Sequence, residues 1–172
     1  MGVERAQARP VSGWSRAGTA AAYAAAIVAF AYALVSLYWA AGGQGLVSTV
    51  GGYVERFARE GGAVPVLVAV AAAVVKIVGG LLALALVRPW GRVVPRQWLL
   101  TFSVVASALL VVYGALDVAG GALVLSGAVH PSGGVDRNAL RWHVALWDLW
   151  FLVWGLLLAV ATAGYRRRTA GN

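Results

Sequence analysis

The sequence predicts an all-α integral membrane protein, a four-helix up-down bundle with both termini in the cytoplasm. Three observations predict it. The 172 residues are 61% hydrophobic and 12% charged, whereas a soluble domain has about half apolar and about a quarter charged residues. A soluble globule of this length buries only about 70% of its chain surface, too little to hide so much apolar side chain. Apolar runs long enough for a bilayer, which needs roughly 20 helical residues, recur along the chain. Finally, Arg5, Arg9, Arg16, Arg88, Arg92, Arg96, Arg166, Arg167 and Arg168 flank the runs on one side, against Arg56, Arg59, Arg137 and Arg141 on the other. That asymmetry marks the cytoplasmic side. It also accounts for the net charge of +8 and the pI near 10.9 without a nucleic-acid partner.

The first span covers residues 18–41 and carries no charge. A basic lead-in also precedes signal peptides, but this run is longer than their apolar region, and Tyr38 and Trp39 crowd the only cleavage point, so the helix is expected to be retained. Residues 42–62 form a glycine-rich outer loop. Within it Gly52 to Glu60 suits a short interfacial helix, with Tyr53 and Phe57 spaced i, i+4. The second span, 63–87, is interrupted only by Lys76, and Pro65 suits its first turn. Residues 88–97 hold Pro89, Pro95 and three arginines, which make a turn at the inner surface, with Trp90 and Trp98 in the aromatic belt. The third span, 98–125, contains Asp117. Residues 126–138 break the pattern with prolyl and glycyl positions. The fourth span, 139–165, contains Asp148 and ends on the arginine triplet. The chain 1–172 thus forms a single transmembrane domain in the plasma membrane.

Several chemistries are excluded. The chain has no cysteine, which removes thiol catalysis, disulfides and Cys-ligated metals. His130 and His143 have no metal-ligand spacing, Ser132 has no triad partners, and neither a phosphate-binding loop nor an aspartate-rich cluster occurs. No metal and no cofactor are expected, so a reaction here runs by proton transfer.

Lys76, Asp117 and Asp148 fall at membrane depth, each at a cost of at least about 2.5–3.5 kcal/mol on insertion scales. The structural reading makes Lys76 the charge partner of Asp117 or Asp148. The functional reading places Asp117 and Asp148 in one polar pocket opening toward the outer leaflet. A carboxyl held there in its protonated form is an acid, with the second carboxylate as its partner. On the fourth span His143, Trp147, Trp150 and Trp154 recur at helical spacing, with Phe151 on the adjoining face. Tyr113 precedes Asp117 by one turn. These rings either pack between helices or line a cavity whose π faces stabilise a cation. Gly79, Gly80, Gly114, Gly120 and Gly121 permit close helix packing or leave room for a ligand.

Two stretches carry a resemblance. Tyr38-Trp39-Ala40-Ala41-Gly42-Gly43 is similar to the Tyr-Trp-Ala-x-Gly-Gly signature of an actinobacterial family of small four-helix membrane proteins of unknown function. Leu140-Arg141-Trp142-His143 with Trp147-Asp148-Leu149-Trp150-Phe151 resembles that family's second signature, with Leu149 where many members have proline. In size and hydropathy the chain also resembles small bacterial membrane-bound terpene cyclases. That resemblance implies an acid-initiated cyclase or isomerase of a prenylated, lipid-like substrate. Asp148 is then the proton donor, Asp117 its partner, and Tyr38, Trp39, Tyr113, His143, Trp147, Trp150 and Phe151 the substrate-binding residues. Two alternatives stay open. One is a non-enzymatic membrane protein, a transporter subunit or lipid-binding scaffold. The other is a proton-linked carrier, which would need an oligomer to form a path. The expected partners are the bilayer and a hydrophobic prenylated small molecule.

Overall fold

Long uncharged runs in this sequence can satisfy their backbone groups in lipid only by forming helices, and a computed structural model of the chain bears this out. It describes residues 13–51, 55–56, 58–59, 61–132 and 134–170, with side chains from Arg16 onward. The described residues contain no strand. The elements are α1 (Gly13–Ala40), a one-turn α2 (Val47–Val50), α3 (Ala63–Ala85), a 3-10 turn (Pro89–Val93), α4 (Arg96–Ser126) and α5 (Arg137–Thr169). All but α2 and the 3-10 turn are long and apolar enough to cross a membrane. Tyr53 and Phe57 lie outside the described residues, as do Arg5 and Arg9.

Helix ends differ from the sequence reading by a few residues, for physical reasons. Helix α5 begins early because Asp136 caps it, Oδ1 accepting from the Asn138 amide at 2.9 Å and the Ala139 amide at 3.1 Å. Asp136→Ala is expected to cost about 1 kcal/mol, the usual worth of such a cap, read as a lowered midpoint in thermal unfolding. The same helix runs on through Arg166–Arg168 because cations favour a helix C-terminus. Arg168 also docks there, donating to Thr19 Oγ1 at 3.2 Å and to the Leu86 carbonyl at 3.1 Å.

Packing follows the small residues. Ala22, Ala25 and Ala29 on α1 and Ala161 on α5 are wholly enclosed, so α1 sits against both α3 and α5. Lipid tails are as apolar as the helices, so close van der Waals approach is what holds such spans together. At Gly18 the approach is backbone to backbone, since a Cβ there would stand 2.9 Å from Gly164 Cα. Helix α4 packs on the other side of α5 with the same intimacy: a Cβ on Gly155 would lie 2.8 Å from the Val111 amide nitrogen. Helices α3 and α4, by contrast, scarcely touch. The four long helices therefore form an open row, α3–α1–α5–α4, with a gap between its two ends.

Candidate functional site

The fourth span is not a regular helix. Its residues Arg137–Trp142 are α-helical, His143–Trp147 form a π-helical turn, and Asp148–Thr169 are α-helical again. The Asp148 amide donates to the His143 carbonyl five residues back. In a regular α-helix, residues five apart point about 140° from each other. The wider π turn brings them to one face. His143 Nδ1 thus lies 3.2 Å from Asp148 Oδ1, and the Asp148 side chain is 7% exposed.

The imidazole's other nitrogen defines its state. His143 Nε2 is 2.9 Å from the Val50 carbonyl oxygen, and a carbonyl can only accept, so Nε2 carries a hydrogen. The Nδ1–Oδ1 bond then needs a second hydrogen, borne by the imidazole or by the carboxyl. Either way the pair holds one proton between a ring nitrogen and a carboxyl oxygen. π turns recur at functional sites in other proteins. Here one builds a proton-holding pair from a single helix.

Next to Asp148 in the chain, Trp147, Trp150 and Phe151 join an aromatic cluster. Tyr32 of α1 is buried and stacks on Trp147 (centroids 5.8 Å apart) and Trp150 (5.0 Å), and tilts against Phe151 (5.1 Å). Phe151 meets the edge of Tyr113 at 5.2 Å, and Trp147 meets Trp39 at 5.5 Å. Tyr113 precedes Asp117 by one turn on α4. Tyr32 lies on the alanine face of α1, where it is the large side chain among small ones. That asymmetry was the sequence signal for it, and the sequence reading passed over it.

The expected pairing of Lys76 with an aspartate is not what forms. Lys76 is 9% exposed, and its Nζ donates to Ser36 Oγ at 2.7 Å and sits 3.9 Å from the Tyr32 ring centroid. The reason is helix placement: α3 packs on α1, so Lys76 meets the α1 pair Tyr32 and Ser36, spaced i, i+4. A desolvated cation on a ring face gains about 2 kcal/mol. The ion pairs among the described residues are Arg59–Glu55 and His143–Asp148, and Lys76 takes part in neither.

Two cavities meet at Lys76. One, of about 470 Å³, opens at the loop end of the bundle beside Ser36, Trp39, Val47 and Pro65. The other, of about 870 Å³, is the gap between α3 and α4, walled by Val75, Gly79, Phe102, Val105, Phe151 and Trp154. Among the described residues, Lys76 is the ionisable one on the wall of each. The expected common pocket of Asp117 and Asp148 differs from this arrangement. Neither carboxylate lines these cavities, nor does His143.

Both sequence signatures turn out to hold one loop. At the end of α1 the Tyr38 hydroxyl accepts from the Gly45 amide at 3.0 Å, and Trp39 Nε1 donates to the Gly45 carbonyl at 2.8 Å. Any Cβ on Gly43 would strike the Tyr38 ring, which explains glycine there. Leu46 follows in the left-handed region at φ 66°, a costly conformation for leucine. Its carbonyl accepts from Thr49 Oγ1 at 2.6 Å, and Thr49 Oγ1 in turn accepts from Trp147 Nε1 at 3.2 Å. His143 completes the chain through Val50. Tyr38 therefore acts as a clamp on the loop, while Trp39 bridges the loop to Trp147. The Trp stripe on α5 splits among neighbours: Trp147 goes to Thr49, Trp150 Nε1 donates to the Val28 carbonyl at 3.0 Å, and Trp154 covers Gly79.

An all-α protein with four membrane-length helices, a half-buried imidazole paired with a buried carboxyl and a buried lysine between two cavities is the class that fold and site define. The chain belongs to the family described as "Protein of unknown function (DUF3995)", whose match covers residues 29–158. That range takes in both signatures and every residue of the aromatic cluster. No curated protein and no solved structure matches the chain.

Proposed function

We propose that this protein binds an apolar, prenyl-like chain in the groove between α3 and α4, within a plasma-membrane bundle whose helices alternate in direction and whose termini share the cytoplasmic side. The observation that supports it is the groove: about 870 Å³ of space, walled by aliphatic side chains and by the rings of Phe102, Phe151 and Trp154, with Lys76 as its polar point. Ring faces favour an unsaturated chain over a saturated one, through contact with its π bonds.

On that binding reading rests a chemical one, acid-initiated cyclisation or isomerisation. The proton held by His143 and Asp148 passes to an alkene carbon or an epoxide oxygen. An alkene's π electrons form the new C–H bond and leave a cation on the neighbouring carbon; a protonated epoxide opens its C–O bond to the same effect. Tyr32, Trp147, Trp150 and Phe151 hold such a cation by their faces. Loss of a proton from an adjacent carbon back to the pair closes the cycle, so no metal or nucleotide enters the balance. Asp148 is the donor in this scheme, and Asp117, beside Tyr113, is its partner across the cluster. One observation favours the plainer alternative of a lipid-binding scaffold without turnover: Asp148 is buried and does not line the cavities beside Lys76.

One experiment separates these readings. The full chain in nanodiscs is exposed to a photoactivatable farnesyl probe and, separately, to epoxyfarnesylated acceptors. Saturable crosslinks on α3 and α4, competed by unlabelled prenyl alcohol and lost in Val105→Trp, are expected. A cyclised product that disappears in Asp148→Asn supports the chemical reading. Labelling without product supports the scaffold. Labelling that free prenyl alcohol does not compete overturns both.

A further inference from the structure

The opposite end of the bundle holds a cavity of about 920 Å³, and neither reading above uses it. Its wall gathers Arg16 from α1, Arg88 and Arg92 from the turn after α3, and Arg168 from α5. A preference for arginine on one membrane side places guanidinium groups near helix ends, but it does not require four of them, from three parts of the chain, to face one space. Two are held in place. Arg168 spans Thr19 and the Leu86 carbonyl, and Arg88 lies over the Tyr23 ring at 5.5 Å. The turn that presents Arg88 and Arg92 is itself pressed onto the bundle, because Gly91 packs against the Ala85 carbonyl with no room for a Cβ.

We infer that this cavity binds a phosphate-bearing head group of a membrane lipid, with an anionic phosphomonoester or diphosphate taken by Arg16, Arg88, Arg92 and Arg168. Guanidinium forks match phosphate oxygens two at a time, and basic pockets between membrane helices are suited to anionic head groups. The rest of the wall argues for a lipid source rather than a free ion. Ala20, Ala85 and Leu86 continue the lining into the apolar part of the bundle, where the acyl or prenyl tail of the same molecule lies.

The test uses the full chain in neutral detergent and calorimetric titration with three probes: dihexanoyl phosphatidate, dihexanoyl phosphatidylcholine and inorganic phosphate. Phosphatidate is expected to bind at least about tenfold more tightly than either of the others, the worth of one charge-assisted hydrogen bond. Arg92→Gln, an exposed position in the turn, is expected to weaken phosphatidate by about tenfold or more, with the thermal midpoint unchanged. Arg166→Gln, an exposed arginine outside the cavity wall, is expected to leave binding intact. Equal affinity for phosphatidate and phosphatidylcholine would overturn the site, as would an equal loss in Arg166→Gln, which signals diffuse surface charge. Inorganic phosphate binding as tightly as phosphatidate would overturn the lipid source.

Discussion

Replacing Gly114 with alanine is expected to destabilise the bundle by about 3 kcal/mol, at the upper end of what overpacking a tight core costs. The position lies where α4 crosses α5. A Cβ there would stand 2.5 Å from the Leu152 amide nitrogen and 2.9 Å from both Leu152 Cα and the Asp148 carbonyl oxygen. Carbon atoms pack comfortably at about 3.5–4.0 Å. All three obstructing atoms belong to backbone inside a helix, so no rotamer change relieves the clash; the two helices must separate. The movement would fall on Asp148 itself, so loss of the His143 contact should accompany the loss of stability. Gly120 on the same helix is the control. A Cβ there meets nothing within 4 Å, and Gly120→Ala is expected to stabilise by about 0.5–1 kcal/mol through helix propensity alone. Unfolding midpoints in mixed detergent micelles, measured for both variants, check the contrast. Equal effects at the two glycines would refute the packing argument.

The second large effect concerns Asp148, where two substitutions are expected to part company. Because His143 Nε2 donates to Val50, the neutral imidazole presents a bare Nδ1 toward residue 148. An asparagine amide can donate to that nitrogen, so Asp148→Asn keeps a hydrogen bond and should fold within about 1 kcal/mol of the parent. Alanine leaves the half-buried imidazole nitrogen without a partner and opens a void between Tyr32 and α5. It is expected to cost about 2–3 kcal/mol and to loosen the loop that His143 anchors. Hydrogen exchange at residues 45–51, together with the unfolding midpoint, reads both outcomes. The pair of variants also separates chemistry from architecture. Turnover lost in the asparagine variant, with the fold and loop protection retained, assigns Asp148 to proton transfer. A loop that loosens equally in both variants would mean that the pair is held by charge, not by the hydrogen bond.

The spans were legible because run length and charge are one-dimensional properties. Lys76 aside, no charge interrupts the first two runs, and the bilayer's thickness does the rest. The ends were legible to within a few residues wherever a cap or a glycine marks them, as Asp136 does for α5. Partnership was much less legible. The sequence puts Lys76 in the same hydrophobic environment as two carboxylates, and opposite charges in lipid suggest pairing. Which helix faces α3 is a three-dimensional fact, and it is α1, with Tyr32 and Ser36. Asp148 had its partner on its own helix, five residues away, a spacing that regular helical periodicity assigns to a different face. The same periodicity drew His143, Trp147, Trp150 and Trp154 as one stripe, whereas three neighbouring segments divide the tryptophans. Of the residues singled out, Trp147, Trp150, Phe151, Tyr113 and Trp39 share one aromatic cluster, and His143 meets Asp148 beside it. Its organising member, Tyr32, carries no charge and no motif, so nothing in its neighbourhood but small size distinguished it.

The wide turn at His143–Trp147 has a consequence for how this geometry can be spelled. A π turn amounts to one extra residue accommodated in an otherwise regular helix, with the flanking segments left in phase. Remove an outward-facing residue such as Ala145, and the imidazole and carboxyl become four apart on an ordinary helix, again on one side. His-x-x-x-Asp and His-x-x-x-x-Asp are therefore two notations for one spatial arrangement, and the step between them is a single inserted codon.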